Sequence, residues 1–387
     1  MIKTPPELPA AGSASDRWSP LVSSVFSEAR PGEQRVMGVL EGEGVGREVV
    51  SASLEVLAAV ASVRACPVSI ERGAVIGLEA ERIHGRALSD EVVGFCETVF
   101  SRGGAILAGP GGGRFVYEMR MRFDLFCKLS PLIVHEELLE VARMRPEQCR
   151  GVDILVVREN CSGIYQGDWS EETTPAGSRR AAHEFSYEEG EVLRIMQVGA
   201  RIAAQRRGEL AVIHKLCGVP TVSRLWVDVA NAVAREHGLK LTLLEVDYSA
   251  FALIQQPRLF DVMVAGNLFG DILADLGGVL LGSRGVCFSG NFAPSGAAVY
   301  QTNHGAARDL AGQDRANPVG QIFALAMLLH ESFGLSEAAE LMRRSVGEAW
   351  VRGWRTADVA VQGCRVVGTA EMGRRIAEIA VELGSLS

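Results

Sequence analysis

The sequence lacks the features that mark secreted proteins, membrane-spanning proteins and proteins stabilised by a structural zinc site. Its eight cysteines are scattered without a CxxC pair or a metal-ligand spacing, so neither a disulfide framework nor a zinc site is indicated. It has no run of about 18 apolar residues, and its N-terminus shows no charged region followed by an apolar core. We therefore expect a cytoplasmic protein with free thiols and no membrane segment.

Basic charge is also scarce. Lysine and arginine number 39 against 47 aspartate and glutamate residues, which gives a formal net charge of −8. The sequence also shows no stripe of lysine and arginine residues. A nucleic-acid partner is therefore not expected. What is present is a chain of 387 residues with 48% hydrophobic residues and 43 glycines. That composition predicts a compact protein long enough for two domains.

From Arg35 onward, short apolar runs alternate with amphipathic helices, which is typical of an α/β fold. Residues 1–34 are rich in Pro, Ser, Ala and Glu and are predicted to be a flexible extension. Residues 284–296 are predicted to be loop-rich, and residues 109–131 are predicted to form a loop and a helix. The glycine-rich turn at residues 41–48 lacks the dinucleotide spacing and carries acids that would repel a pyrophosphate, so a Rossmann phosphate site is not predicted there.

Residues 266–283 carry the clearest chemical signal. Asp271 and Asp275 stand four residues apart in a predicted helix that follows a buried strand, so both project from one helical face. Two carboxylates in this arrangement suit a hard divalent cation. The alternative is that Asp271 only complements the positive N-terminal end of the helix.

Charged residues also stand where other predicted strands end. Arg158 closes one strand, Lys215 another and Asp247 a third, and functional groups in α/β sheets gather at such ends. Partial desolvation is expected to lower the pKa of Lys215 toward the range of a general base. The alternative for Lys215 and Asp247 is an ordinary surface charge.

A second cluster of charge follows the glycine-rich loop at residues 109–114. Arg114, Arg120 and Arg122 lie on or beside the next predicted helix. Guanidinium groups bind carboxylates and phosphates through two parallel hydrogen bonds, so this region is a candidate anion site. A solvated helix face is the alternative.

Taken in order, three separated motifs resemble those of the β-decarboxylating 2-hydroxyacid dehydrogenases, the isopropylmalate and isocitrate dehydrogenase family. The resemblance covers about residues 35–385. The motifs are Val157-Arg158-Glu159-Asn160 with Gly163-Ile164-Tyr165; Gly266-Asn267-Leu268-Phe269-Gly270-Asp271-Ile272-Leu273-Ala274-Asp275; and His304-Gly305-Ala306-Ala307-Arg308-Asp309-Leu310-Ala311-Gly312 with Ala316-Asn317-Pro318.

The resemblance implies an α/β, isopropylmalate dehydrogenase-like two-domain fold with a non-Rossmann cofactor site. Residues 35–125 and 282–387 would form the larger, cofactor-binding domain, and residues 126–281 the smaller one. An arm at about residues 168–190 would help form a homodimer whose active sites are shared between subunits.

The resemblance also implies the ligands. The cofactor would contact His304, Gly305, Ala306, Asp309 and Asn317. The acid at position 309 favours NAD, because it would hydrogen-bond the ribose hydroxyls and repel a 2′-phosphate; the neighbouring arginine, residue 308, leaves NADP open.

For the chemistry, the resemblance implies Mg²⁺ or Mn²⁺ held by Asp271 and Asp275 together with Asp247 of the other subunit. Lys215, also from the other subunit, would be the base that accepts the hydroxyl proton, and Tyr165 would protonate the enol carbon. Arg120 and Arg158 would hold the carboxylates of a malate-type small-molecule substrate.

The sequence departs from the family pattern near the substrate. Ser130 stands where a carboxylate-binding arginine is usual, and Arg114, Arg122 or Lys128 are candidates to restore the charge. Cys217 and Gln301 are further departures. We therefore predict a 3-substituted malate with a polar or anionic substituent, such as a carboxyl or phosphonomethyl group. The alternatives are a non-decarboxylating tartrate or malate dehydrogenase and a catalytically inactive regulatory subunit.

Overall fold

The computed structural model of the protein describes residues 17–23 and 35–386. The strands are β1 (Arg35–Leu40), β2 (Val68–Arg72), β3 (Ala105–Ala108), β4 (Cys127–Ile133), β5 (Asp153–Glu159), β6 (Trp169–Thr173), β7 (Arg179–His183), β8 (Glu209–His214), β9 (Lys240–Glu245), β10 (Val262–Ala265), β11 (Phe288–Phe292), β12 (Ala298–Thr302), β13 (Trp354–Arg355) and β14 (Arg365–Val366).

The helices are α1 (Ser19–Val22), α2 (Gly46–Val63), α3 (Gly77–His84), α4 (Asp90–Ser101), α5 (Phe115–Arg122), α6 (Pro146–Cys149), α7 (Glu189–Gln205), α8 (Pro220–His237), α9 (Val246–Gln255), α10 (Asn267–Leu281), α11 (Val319–Glu331), α12 (Ser336–Val351) and α13 (Thr369–Leu386). Short 3₁₀ turns lie at Glu136–Leu138, Pro257–Leu259, Arg284–Val286 and Ala357–Val359.

Ten strands form one continuous sheet in the order β2-β1-β3-β12-β11-β4-β5-β10-β8-β9. The outer strands on each side pair in parallel, whereas β11 is antiparallel to β12 and β4, and β4 is antiparallel to β5. The predicted domain division falls between β11 and β4. It stays a prediction, because a single sheet runs across that boundary.

The sheet is mixed and mostly parallel, and helices cover it, as expected for an α/β fold. The apolar runs that predicted strands are buried throughout in β3 and β10. Every residue of α11 is buried, which places this helix in the middle of the core. Among the residues described, none of the helices combines the length and apolarity needed to cross a bilayer.

Two adjacent strands at the centre of the sheet were missed by the sequence prediction. β4 is buried in all but its last residue although it contains Lys128 and Ser130, so polar residues replace the apolar pattern that would reveal it. β11 lies within the segment predicted to be loop-rich. Its Gly290 is packed under the rings of Phe292 and Tyr300, where a Cβ would approach to 2.8 Å. Small and polar residues therefore build a buried strand here.

Residues 17–23 differ from the flexible extension predicted for residues 1–34. The backbone N–H of Ser19 donates to Glu331 Oε2 at 2.8 Å, and Arg201 Nη1 donates to the carbonyl of Leu21 at 2.8 Å. Helix α1 thus joins α11 to α7, on opposite sides of the predicted domain boundary. The remainder of residues 1–34 lies outside the described residues.

Candidate active site

Helix α10 places the two predicted metal ligands at the end of β10. It begins after Gly266, which is extended, and it ends at Gly282, whose φ of 84° is left-handed. Asp271 forms an ion pair with Arg158 Nη1. Asp275 accepts a hydrogen bond from Arg284 Nη2 at 2.7 Å. The two carboxylates project one turn apart, as the sequence predicted.

Arg158 lies near the end of β5 and is only 1% exposed. Besides Asp271, its guanidinium donates from Nε and Nη2 to the side-chain oxygen of Asn267, at 3.1 and 2.7 Å. Asn267 in turn donates to the carbonyl of Ser162 at 2.8 Å. The sequence prediction missed Asn267 as a site residue, although its place beside Gly266 at the end of a buried strand was a usable signal.

The environment of the two carboxylates differs. Burial would raise the pKa of Asp271, but the charge of Arg158, followed by that of Lys128, holds that pKa below its usual value. Burial raises the pKa of Asp275. Their oxygen atoms are the ligand type that Mg²⁺ and Mn²⁺ prefer. Within residues 17–23 and 35–386, no three His, Cys, Asp or Glu side chains form a cluster that could hold a metal ion.

Tyr165 lies in the turn after β5 and donates its hydroxyl to Asp271 Oδ2 at 3.1 Å. Burial, followed by the negative charge of Asp271, raises the pKa of Tyr165 to about 12. The phenol is therefore protonated at neutral pH. This is the state that a proton donor requires.

A buried group of cations faces this cluster from β4 and α5. Lys128 lies directly opposite Arg158 in the antiparallel pair of β4 and β5, and Arg120 at the end of α5 is also buried. Burial, followed by the charge of Arg158, lowers the pKa of Arg120 to about 9. Burial and the same two arginines lower the pKa of Lys128 well below its usual value.

Two polar groups of β4 lack a hydrogen-bond partner among the described residues. Lys128 is 5% exposed. Its charge interacts with those of Asp271 and Asp275, but in the part of the chain that is described no residue accepts a hydrogen bond from it. The buried hydroxyl of Ser130, two residues along the strand, also lacks a hydrogen-bond partner among the described residues. Buried donors without acceptors are costly and rare.

Arg114 and Arg122, the other two candidates for restoring charge, are not part of the buried group formed by Arg120, Lys128 and Arg158. Arg114 packs its guanidinium over Trp169 at 4.7 Å and Tyr117 at 5.2 Å, and it donates to the carbonyl of Tyr165 at 3.3 Å. It therefore links α5 to the β6–β7 hairpin. Arg122 is exposed and pairs with Glu97.

Lys215 and Asp247 form a separate cluster at the ends of β8 and β9. Lys215 Nζ donates to Glu245 Oε2 at 2.8 Å and to the two carboxylate oxygens of Asp247 at 3.0 and 3.1 Å. The hydrogen bond to Glu245, followed by that to Asp247, raises the pKa of Lys215. The expected lowering is therefore wrong for this single chain, because two carboxylates stabilise the ammonium. The sequence prediction missed Glu245, whose only signal was an acid at a strand end.

The predicted cofactor residues lie in and beside the loop that follows β12. The carbonyl of Ala306 accepts from the N–H of Val45 at 2.9 Å, while Asn317 donates from Nδ2 to Asp358 at 3.0 Å. His304 is partly buried, and burial lowers its pKa. Gly305 and Asp309 are exposed, so this loop presents open backbone and an acid to solvent.

Comparisons with known proteins agree with this geometry. A family model described as isocitrate/isopropylmalate dehydrogenase matches residues 36–376. The chain is 34% identical over 354 residues to 3-isopropylmalate dehydrogenase of Geobacillus kaustophilus, covering 88% of this chain and 94% of that protein. It is 35% identical over 355 residues to the enzyme of the same name from Methylococcus capsulatus, covering 88% of this chain and 97% of that protein.

Solved structures show the same fold. Isocitrate dehydrogenase from Methylococcus capsulatus superposes with a TM-score of 0.80 and 26% identity, covering 90% of this chain and 100% of that chain. TT0538 protein from Thermus thermophilus superposes with a TM-score of 0.79 at 24% identity, covering 92% of this chain and 70% of that chain.

Proposed function

Because the chain belongs to the isocitrate/isopropylmalate dehydrogenase family, we propose that it catalyses the NAD-dependent oxidative decarboxylation of a 3-substituted malate, with Mg²⁺ or Mn²⁺. The C3 substituent is polar or anionic, such as a carboxyl or phosphonomethyl group. The observation that carries this choice of substituent is the buried Lys128, which has no acceptor among the described residues. An anionic group on the substrate would supply one.

The metal would be held by Asp271 and Asp275 together with Asp247 of a second subunit. The first two fit it in ligand type, and each now pairs with an arginine that could release it. When bound, such a cation would stabilise the oxyanion and the enolate that develop during the reaction.

Two side chains are assigned to the proton transfers. Lys215 would accept the hydroxyl proton of the substrate, and Tyr165 would donate a proton to the carbon that loses CO₂. Bound NAD would supply the hydride acceptor for the oxidation at C2. The high pKa of Tyr165 supports its role, because the phenol carries its proton at neutral pH. For Lys215 to act as a base, its ammonium must lose the stabilisation that Glu245 and Asp247 provide.

Arg120 and Arg158 bind the malate carboxylates, and both are buried beside Asp271. Lys128 and the hydroxyl of Ser130 take the additional group. Ser130 stands where a family arginine is absent, and Lys128 lies two residues before it. A substrate anion would give Lys128 the hydrogen-bond acceptor that it lacks among the described residues. Arg114, the further candidate for binding substrate, packs over Trp169 and donates to the carbonyl of Tyr165.

The cofactor would lie on His304, Gly305, Ala306, Asp309 and Asn317. Asp309 is exposed and would hydrogen-bond the ribose hydroxyls, which supports NAD. A homodimer with shared active sites would bring Lys215 and Asp247 to the Asp271 cluster. The β6–β7 hairpin supports this assembly, because all ten residues of its two strands are exposed in the single chain and a lone hairpin is marginally stable.

Steady-state assays with NAD, Mg²⁺ and malate-type substrates test the proposal. We expect one CO₂ for each NADH formed, and activity that EDTA abolishes and Mn²⁺ restores. NADH without CO₂ would instead identify the tartrate or malate type of dehydrogenase. No NAD reduction with any 3-substituted malate would leave the regulatory subunit as the better description.

A further inference from the structure

The turn at residues 41–48, between β1 and α2, is hydrogen-bonded to the loop at residues 304–312. The two are joined at three points. The N–H of Val45 donates to the carbonyl of Ala306 at 2.9 Å, Arg308 Nη2 donates to Glu43 Oε2 at 3.1 Å, and the N–H of Gly312 donates to Glu48 Oε1. Glu43 and Glu48, two of the acids that would repel a pyrophosphate at this turn, therefore bind the loop that follows β12.

Glu43 is the centre of this contact. Its side chain is 7% exposed, and both carboxylate oxygens are occupied. Oε1 accepts from the N–H of Glu79 at 2.6 Å, and Oε2 accepts from the N–H of Gly112 at 2.7 Å as well as from Arg308. A Cβ at Gly112 would stand 2.7 Å from Glu43 Oε2 and 2.8 Å from Arg308 Nη2, so glycine is needed for both groups to reach this point.

The hydrogen bond to Glu43 fixes the direction of the Arg308 guanidinium. Arg308 is next to Asp309 in the chain, and its side chain is 54% exposed. A free arginine there would suit a ribose 2′-phosphate, since guanidinium groups bind phosphates strongly. In this structure its guanidinium is directed instead to a buried carboxylate that lies against the glycine-rich loop.

We propose that Glu43 is a positioning residue for cofactor choice, which holds the Arg308 guanidinium away from the 2′ position of the adenosine ribose and so leaves Asp309 to select NAD. The inference rests on the proposed cofactor site in loop 304–312. It adds a residue 266 positions away from Asp309 in the chain to the determinants of specificity.

Calorimetric binding of two adenosine fragments tests the inference without turnover. AMP and adenosine 2′,5′-bisphosphate differ only in the 2′-phosphate, so the ratio of their Kd values measures discrimination at that position. We expect Glu43→Gln to improve the relative affinity for the bisphosphate by about 5- to 10-fold, as a released arginine pairs with the phosphate. The double variant with Arg308→Ala should return to the original ratio.

Glu41→Gln is the matched control, because Glu41 lies on the same turn but pairs with Arg72 at the surface. It should leave the ratio unchanged. An unchanged ratio in folded Glu43→Gln would overturn the inference while AMP binding still supports the cofactor site. Failure of the unmodified protein to bind AMP would overturn that site and the inference together.

Arg308→Ala in the otherwise unmodified protein is a second test of the inference. It does not depend on the folding of the Glu43 variant. If Glu43 already holds the guanidinium, this substitution should change the ratio by less than about twofold. A loss of bisphosphate affinity of about fivefold or more would show that Arg308 already faces the 2′ position, which would overturn the inference.

Discussion

The α10 side and the β4 side of the site differ in how their charges are partnered. On α10, Asp271 forms an ion pair with Arg158 and Asp275 forms one with Arg284. On β4, Lys128 is buried with no acceptor among the described residues. The α10 side carries a sequence motif of the family and a set of groups suited to its general chemistry. The β4 side departs from the family pattern, so we locate substrate choice there.

The largest effect should come from removing the groups proposed for the common chemistry. Lys215→Ala or Asp271→Asn is expected to lower kcat for NAD reduction by about 1000-fold or more, since base catalysis and charge stabilisation are each lost. Lys240→Ala is the matched control, because Lys240 forms an exposed pair with Glu209 at 2.7 Å. Full activity in either site variant would refute the roles assigned to this side.

Tyr165→Phe should have the next largest effect. It removes the proposed proton donor and the hydrogen bond to Asp271, and kcat should fall by about 100-fold, at the lower end for acid–base catalysis. Tyr117→Phe is a suitable control, because that ring lies 5.4 Å from the ring of Tyr165. Equal rates for the Tyr165 variant and the unmodified enzyme would exclude the phenol as a proton donor.

Lys128→Met sharpens the other half of the comparison. For malates with an anionic C3 substituent, KM should rise by about 10- to 100-fold, which is the range for a hydrogen bond to a charged group, while alkyl malates should be affected much less. Thermal unfolding should occur at a higher temperature, because a buried cation without an acceptor is removed. Arg122→Met, at an exposed residue paired with Glu97, is the control. An equal rise in KM for both substrate types would contradict the specificity role.

The smallest effect is expected at Arg284. Its ion pair with Asp275 is 58% and 44% exposed on the two sides, so it contributes little and competes with a cation for the same carboxylate. Arg284→Ala should tighten Mn²⁺ binding by up to about fivefold in a titration followed by electron paramagnetic resonance. Weaker Mn²⁺ binding would show that Arg284 supports the metal site.

Much of the fold was predictable because the apolar runs of β3 and β10 and the glycines flanking α10 each specify local structure. The spacing of Asp271 and Asp275 likewise predicted their common face, because helical periodicity fixes it. The motifs carried further information, since they identified the family.

What escaped prediction depends on contacts between distant segments. Nothing local shows that Lys128 lies opposite Arg158, since this depends on the register of β4 and β5. The pKa of Lys215 was predicted in the wrong direction because its partner Glu245 lies 30 residues away in the chain, and only the fold brings the two into hydrogen-bond contact. β4 itself was missed because the polar side chains of the site interrupt its apolar pattern.

The most direct test of the account is the comparison of kcat/KM for malates that differ only in the C3 substituent, measured with NAD and Mg²⁺. We predict that a carboxylate- or phosphonate-bearing substituent is preferred over isopropyl by at least about tenfold, and that Lys128→Met removes this preference. Activity confined to alkyl malates, in both the unmodified enzyme and the variant, would contradict the account.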